Sequence, residues 1–212
     1  MTVRSITDEF LKIGKTHGFQ KKHALRVAHF SLVLFDQLQD LHRMGNTERL
    51  WLWFASLMHD VGKNENRRKH HKIARDVLIN SKSLPFCKKE RIIIGMIARY
   101  HRGALPKNTH RYYRGMDSYS KAVVTKMAAL LRLADGLDKN RNGLVIDINC
   151  ELFADDLILQ ILSEGELNIS SIKAKSDLFK KVYNKDLILD IEIDDSYYLA
   201  LDTETIINYA FD

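Results

Sequence analysis

Apolar side chains recur with a helical period through the first two-thirds of the chain. Residues 20–43 carry them on one stripe, which predicts a long helix ended by Gly45. The stripe comprises Ala24, Val27, Ala28, Ser31, Leu34, Phe35, Leu38 and Leu41. Similar patterns predict helices over 5–15, 70–80, 88–101, 118–138 and 202–211. A further helix is predicted to begin after an N-cap at Thr47 and to end at His59-Asp60. Residues 62–69 and 103–117 lack this period and are predicted to be loops.

The period changes after Asn142-Gly143. Apolar and polar residues then alternate in three segments, which predicts strands over 144–150, 157–162 and 187–193. A helical pattern over 165–183 separates the last two. The expected fold is mainly α: a helical domain over 1–142, followed by a small strand-strand-helix-strand α/β subdomain over 143–212.

Charge divides the chain near the same position. Residues 1–150 hold 28 Lys and Arg against 13 Asp and Glu, whereas residues 151–212 hold 5 Lys and 14 Asp and Glu. All nine histidines lie in the basic part. A basic surface around a cation site would attract an anionic substrate. A solvated basic face or a nucleic-acid footprint is the alternative, although nucleic-acid binding is disfavoured because exposed aromatics are not interleaved among the charges.

Composition narrows the class of protein. With 212 residues the chain can bury a core without disulfides or a structural metal, and two isolated cysteines do not form a disulfide framework. No apolar run approaches the length of a membrane span, and the N-terminal residues lack a signal-peptide core. The chain is therefore expected in the cytoplasm, without a membrane partner. A homodimer is left open.

Candidate metal ligands occur at or beside the ends of the predicted helices. His59-Asp60 closes an apolar run and precedes Gly62, and mixed imidazole and carboxylate donors suit divalent metals. Helices packed in a bundle can bring such ends together. The full candidate set is His23, His59, Asp60, His70, His101 and Asp135.

Each candidate alone has an ordinary structural interpretation. A lone histidine is more often a surface or hydrogen-bonded core residue, and His17, His29, His42 and His110 are interpreted in that way. His71 is left open because neighbouring helix positions do not face one point. The His59-Asp60 pair could be a structural couple, and Asp135 a turn residue. The order of all six candidates along the chain, taken together, favours a metal site.

That order resembles the HD-domain metal-dependent phosphohydrolase superfamily. The similarity is closest to the C-terminal HD region of the exopolyphosphatase / guanosine pentaphosphate phosphohydrolase family. It is carried by residues 23–28 (HALRVA), 55–62 (ASLMHDVG), 70–72 (HHK), 99–102 (RYHR) and 130–135 (LLRLAD). The family's phosphatase site lies in an actin-like domain without a counterpart among these 212 residues, so exopolyphosphatase activity by that route is not expected.

The resemblance implies an HD-type helical bundle and a role for each residue. His23, His59, Asp60 and Asp135 would hold one divalent ion; His70 and His101 would hold a second, with Asp60 bridging. One or two ions (manganese, iron, magnesium, nickel or zinc) are implied. Asp60, Lys63 and Arg102 would be catalytic, and Lys63, Arg102 and Arg141 would bind phosphate oxygens.

The expected function is hydrolysis of a phosphoester or phosphoanhydride by metal-activated hydroxide, on a nucleotide, an alarmone or a polyphosphate. The alternative is a non-catalytic module that binds polyphosphate or a nucleotide, or that regulates a separate actin-like phosphatase. No P-loop, dinucleotide-binding or nucleophile-elbow motif competes with these hypotheses. The role of the acidic subdomain stays open among docking, dimerisation and shaping of substrate entry.

Overall fold

A computed structural model describes residues 3–194 and 202–211. The first part is helical, with α1 Val3–Thr16, α2 Lys21–Gln37, α3 Gln39–His42, α4 Asn46–Met58, α5 His70–Asn80, α6 Lys88–Arg99, α7 Arg111–Arg114 and α8 Ser118–Leu137. The second part contains β1 Val145–Leu152, β2 Asp156–Ser163, α9 Ile169–Lys173, α10 Asp177–Tyr183, β3 Asp186–Ile193 and α11 Thr203–Tyr209. The prediction of a mainly α fold with a small α/β appendage is confirmed.

Two helices form the centre of the molecule. Every residue of α2 from His23 to Phe35 is buried, because α4, α8, α11 and β1 surround it. The second half of α8 is buried in the same way, from Met127 to Leu137. The ends of these central helices therefore place their polar residues inside the fold. None of the described helices is both long and apolar enough to cross a bilayer.

The sheet has the order β1-β2-β3. Strand β1 pairs antiparallel with β2, and β2 pairs parallel with β3 through the connection that contains α9 and α10. Alternate residues of β2 are buried, and its apolar members Leu157, Leu159 and Ile161 belong to the same hydrophobic cluster as α2. The alternation that predicts strands thus reflects one covered face.

Two buried arginines join the helical part to the α/β part. Arg26 in α2 donates to the carbonyl of Val145 in β1. Arg132 in α8 donates to the carbonyl of Tyr100 at 2.7 Å and to the carboxylate of Asp177 at 2.6 and 2.7 Å. The division into domains near residue 142 stays a prediction. The bonds to Val145 and Asp177 cross that boundary.

The predicted helix over 20–43 is interrupted. It ends at Gln37, and α3 follows as a separate turn. The His42 ring explains the break, since its Nε2 lies 2.7 Å from the Phe35 carbonyl and donates to an oxygen that a continuous helix would use itself. The next helix begins two residues earlier than expected: its N-cap is Gly45, whose amide donates to Glu48 at 2.9 Å, and not Thr47.

Three further boundaries differ from the predictions. Helix α6 ends at Arg99, two residues before His101. The predicted loop over 103–117 contains the short helix α7. The single helix expected over 165–183 is two helices, α9 and α10, and the Asn168 side chain caps the first by accepting from the Ser171 amide at 3.0 Å.

Candidate metal centre

Five helix ends converge on one buried cavity. His23 lies in the first turn of α2, His59 and Asp60 follow α4, His70 begins α5, His101 follows α6, and Asp135 lies in the last turn of α8. All six residues are at most 5 % exposed. Gly62 turns the chain after Asp60 with a φ of 80°, and its amide donates to the His17 carbonyl at 3.3 Å. The structure therefore brings together the whole candidate ligand set.

Backbone carbonyls fix the tautomers of three of the histidines. In His59, His70 and His101, Nδ1 lies 2.7, 2.9 and 2.7 Å from the carbonyl three residues earlier in the chain. A carbonyl can only accept, so each Nδ1 carries a hydrogen and each ring presents its Nε2 to the cavity. Histidines that ligate a metal are oriented in this way.

The Nε2 atoms face the two carboxylates. His23 Nε2 is 3.6 Å from Asp60 Oδ2 and 3.5 Å from Asp135 Oδ1. His59 Nε2 is 3.9 and 3.6 Å from the same oxygens. The other oxygen of Asp60, Oδ1, lies 3.0 Å from His70 Nε2 and 3.9 Å from His101 Nε2. Asp60 thus serves two groups of imidazoles with different oxygens.

This donor arrangement fits divalent cations. Among the described residues, two sets hold ligand atoms within 4.8 Å of one another: His23, His59 and Asp60, and Asp60, His70 and His101. The Nε2 atoms of His23 and His59 are buried without a hydrogen-bond partner. Those of His70 and His101 lie 3.2 Å apart, so their lone pairs repel unless a positive charge lies between them. A metal ion would satisfy all of these atoms together.

The electrostatics of the cavity keep its carboxylates ionised. Burial raises the pKa of Asp60, but the His59 and His70 imidazoles outweigh it, and the pKa lies below its usual range. Burial of Asp135 is likewise outweighed by Lys175 and His23, so its pKa is well below normal. Burial, and then His59, holds the pKa of His101 well below its usual value. Deprotonated ligands are the form that binds metal.

Cationic side chains surround the carboxylates. Lys63 Nζ lies 2.8 Å from Asp60 Oδ2, and Arg141 contacts the same oxygen. Lys175 contacts Asp135 and donates to the His101 carbonyl at 3.2 Å. Arg102 lines the same cavity. The predicted phosphate-binding residues Lys63, Arg102 and Arg141 are therefore all at the site, and Arg141 is there with a left-handed backbone (φ 58°).

The histidines given structural interpretations lie elsewhere. His17 pairs with Glu65 at 3.0 Å, His42 bonds to the Phe35 carbonyl, and His110 Nδ1 is 2.7 Å from the Tyr100 hydroxyl. His29 is buried against Tyr209. His71, which the sequence left open, is outside the residues that line the cavity.

Sequence reasoning missed three residues of the site. Asp138 accepts from His23 Nδ1 at 2.7 Å, and Lys139 and Lys175 line the cavity. The spacing of Asp138, one turn after Asp135, could have indicated it. Lys175 follows α9 in the acidic segment, and only the packing of α9 against α8 brings it to the cavity.

Comparison with known proteins identifies a relative for most of the chain. Residues 3–181 match the family model described as Ppx/GppA phosphatase, domain III. A search of curated proteins gave no significant match. The family match covers the helices that carry the candidate metal ligands, the first two strands, α9 and most of α10.

Proposed function

The chain belongs to the Ppx/GppA phosphatase domain III family, and on that basis we propose that it is a metal-dependent phosphohydrolase of the HD superfamily. Its substrates would be phosphoesters or phosphoanhydrides. The observation that carries this proposal is the bridging position of Asp60, whose two oxygens face two separate groups of Nε2 atoms.

The ligands divide into two sets. His23, His59, Asp60 and Asp135 would hold one divalent ion, and Asp60, His70 and His101 a second. Bound ions of this kind polarise phosphoryl oxygens and activate water for attack on phosphorus. Imidazole and carboxylate donors accommodate manganese, iron, zinc, nickel or magnesium.

The remaining side chains would bind and orient the phosphoryl group. Arg102 and Arg141 offer planar pairs of donors, and Lys63 offers a compact charge. Lys175 adds a fourth cation on the Asp135 side of the cavity. Incoming phosphate oxygens would replace Asp60 as the partner of Lys63 and Arg141, since an ionised phosphate carries more negative charge than a single carboxylate.

A second candidate function is a binding module without turnover. The family match supports this candidate, because the matched unit is a single domain, domain III, of a phosphatase family. In that case the cations of the cavity would hold polyphosphate or a nucleotide, and the chain would regulate a separate actin-like phosphatase. An anion would then bind without being cleaved.

Metal analysis and a substrate panel separate the two. Purified protein is assayed for bound metal, then with nucleotides, cyclic nucleotides, alarmones and polyphosphate in the presence of each candidate ion. We expect bound metal and metal-dependent release of phosphate, both lost in His59→Ala and Asp60→Asn. His17→Ala, which removes a half-buried histidine outside the cavity, is the matched control. Full hydrolysis by Asp60→Asn contradicts the proposal, and tight binding without hydrolysis supports the binding module.

A further inference from the structure

A second group of basic residues lies beside the metal centre but outside its cavity. Its central member is Arg99, in the last turn of α6. Arg99 is only 6 % exposed, and its Nη1 is buried without a hydrogen-bond partner. Within 3–194 and 202–211 no carboxylate forms an ion pair with it. Its contact is with the Tyr100 ring, 5.6 Å from the guanidinium carbon.

Helix α5 supplies the next two members. Gly95 lets α5 approach α6 closely, since a Cβ there would lie 3.1 Å from the Arg75 carbonyl. The Arg75 guanidinium forms an ion pair with Asp76, to which it donates hydrogen bonds of 2.8 and 2.7 Å. Asp76 therefore has little capacity left to neutralise Arg99. His71 Nδ1, like Arg99 Nη1, is buried without a partner.

Helix packing places these groups near one another. Gly95, which meets the Arg75 carbonyl, lies one turn before Arg99 in α6, and His71 lies one turn before Arg75 in α5. His110 bonds to the hydroxyl of Tyr100, whose ring Arg99 contacts. Burial, and then Arg99, lowers the pKa of His71 to about 3. Burial, and then Arg99, also lowers the pKa of His110. Burial, and then Arg75, lowers the pKa of Arg99 itself. We call His71, Arg75, Arg99 and His110 the Arg99 cluster. A neutral imidazole in this cluster can donate through one ring nitrogen.

An ordinary solvated basic surface does not account for this cluster. An exposed guanidinium is satisfied by water, but a buried and unpaired one carries a desolvation cost that the fold must offset. The metal cavity does not offset it, because His71, Arg75 and Arg99 are not among the residues that line that cavity. The missing component is a negative charge.

We propose that the Arg99 cluster is a binding site for a tetrahedral oxyanion of the phosphate class, separate from the metal centre. The Arg99 fork would donate to two of its oxygens, with Arg75 and a ring N–H of His71 as further donors. The ligand is either free inorganic phosphate or a terminal phosphoryl group of a larger molecule. This inference does not depend on the proposed hydrolase function.

The test uses the full chain freed of metal by a chelator and then dialysed, so that no metal ion can hold the titrant. Inorganic phosphate and phenyl phosphate are titrated by calorimetry against a chloride background of equal ionic strength. We expect saturable binding that is weakened at least tenfold in Arg99→Met but not in Arg141→Gln, which removes a cation of the metal cavity. Arg114→Gln removes an exposed arginine in α7 and should bind as the wild type does. Binding of phosphate but not of phenyl phosphate identifies the free ion as the ligand, and equal binding identifies a phosphoryl group.

Thermal stability gives an independent readout. In the absence of phosphate, Arg99→Met should melt at or above the wild-type temperature, because it removes an uncompensated buried charge. Added phosphate should then stabilise the wild type and leave this variant unchanged. If Arg99→Met does not fold, Arg99→Lys retains the charge without the planar fork and should show the same loss of affinity. Wild-type affinity in whichever variant folds, or absence of phosphate binding by the wild type, overturns the proposal.

Discussion

The carboxylate of Asp138 lies 2.7 Å from Nδ1 of His23, and both residues are almost completely buried. Asp138 thereby does for His23 what backbone carbonyls do for the other three imidazoles of the cavity. It turns Nε2 towards Asp60 and Asp135. Burial lowers the pKa of His23, but Asp135 and Asp138 outweigh it and raise the value to about 9 without a metal.

The first prediction concerns this orienting carboxylate. Asp138→Asn should weaken binding of a divalent ion by about 10- to 100-fold, because an amide holds the His23 ring less firmly and makes it less basic. Titration calorimetry with manganese or zinc measures the change. Asp155→Asn, in an exposed turn, is the control. Equal affinities in the two variants would exclude Asp138 from the metal site.

A second prediction compares two glycines with left-handed backbones. An added Cβ at Gly62 (φ 80°) would lie 2.4 Å from Ile73 Cγ2, whereas at Gly103 (φ 72°) it would meet nothing within 4 Å. Gly103→Ala should cost about 1–2 kcal/mol from backbone strain alone. Gly62→Ala adds overpacking and should cost about 2–5 kcal/mol. Urea denaturation measures both, and equal losses would show that Ile73 moves aside freely.

The third prediction separates two effects of Lys175. Lys175→Gln should raise the affinity for a divalent ion, since the ammonium competes for Asp135. It should also lower hydrolysis by about 10²-fold if the same charge stabilises the reacting phosphoryl group. Lys173→Gln, in exposed α9, is the control. Weaker metal binding by Lys175→Gln would mean that the lysine supports the ligands and does not compete with the ion.

A fourth prediction concerns pH and a histidine away from the cavity. Burial lowers the pKa of His29 to about 4 from an ordinary value of 6.5, although Asp147 opposes the change. Between these values the unfolded chain binds a proton that the folded chain does not, so stability falls as pH falls from 6.5 to 4. The loss attributable to His29 reaches about 3 kcal/mol.

His29→Leu should therefore flatten the fall in melting temperature over that pH window. Tyr209→Phe changes the aromatic neighbour whose ring centroid is 5.0 Å from His29, without removing the titrating group, and should keep the wild-type slope. An unchanged slope in His29→Leu would assign the acid sensitivity to other groups.

Periodicity predicted the elements better than it predicted their ends. The stripe on α2 is visible in sequence because burial requires it, and the alternation in β2 is visible for the same reason. The break at Leu38 is not visible, since it depends on the His42 ring reaching back to the Phe35 carbonyl. Local hydrogen bonds of single side chains decide such boundaries, and no average pattern contains them.

The convergence of the candidate ligands could be predicted because their order resembles a known family and they lie at helix ends. What could not be predicted is the supporting set. Lys175 reaches the cavity from a segment of opposite net charge, through tertiary packing of α9 on α8. Arg99 reads in sequence as one charge in a basic run, and only its burial in the fold distinguishes it.

The bonds that Arg26 and Arg132 make to the α/β part have a practical consequence for protein expression. A gene shortened after residue 142 would still encode every histidine, yet its product would lack the carbonyl of Val145 and the carboxylate of Asp177. Arg26 and Arg132 would lose these partners, and the apolar flank of α2 that β1 covers would be exposed to water. Such a fragment is expected to aggregate. The acidic subdomain, residues 143–212, is therefore expected to keep the preceding helices soluble.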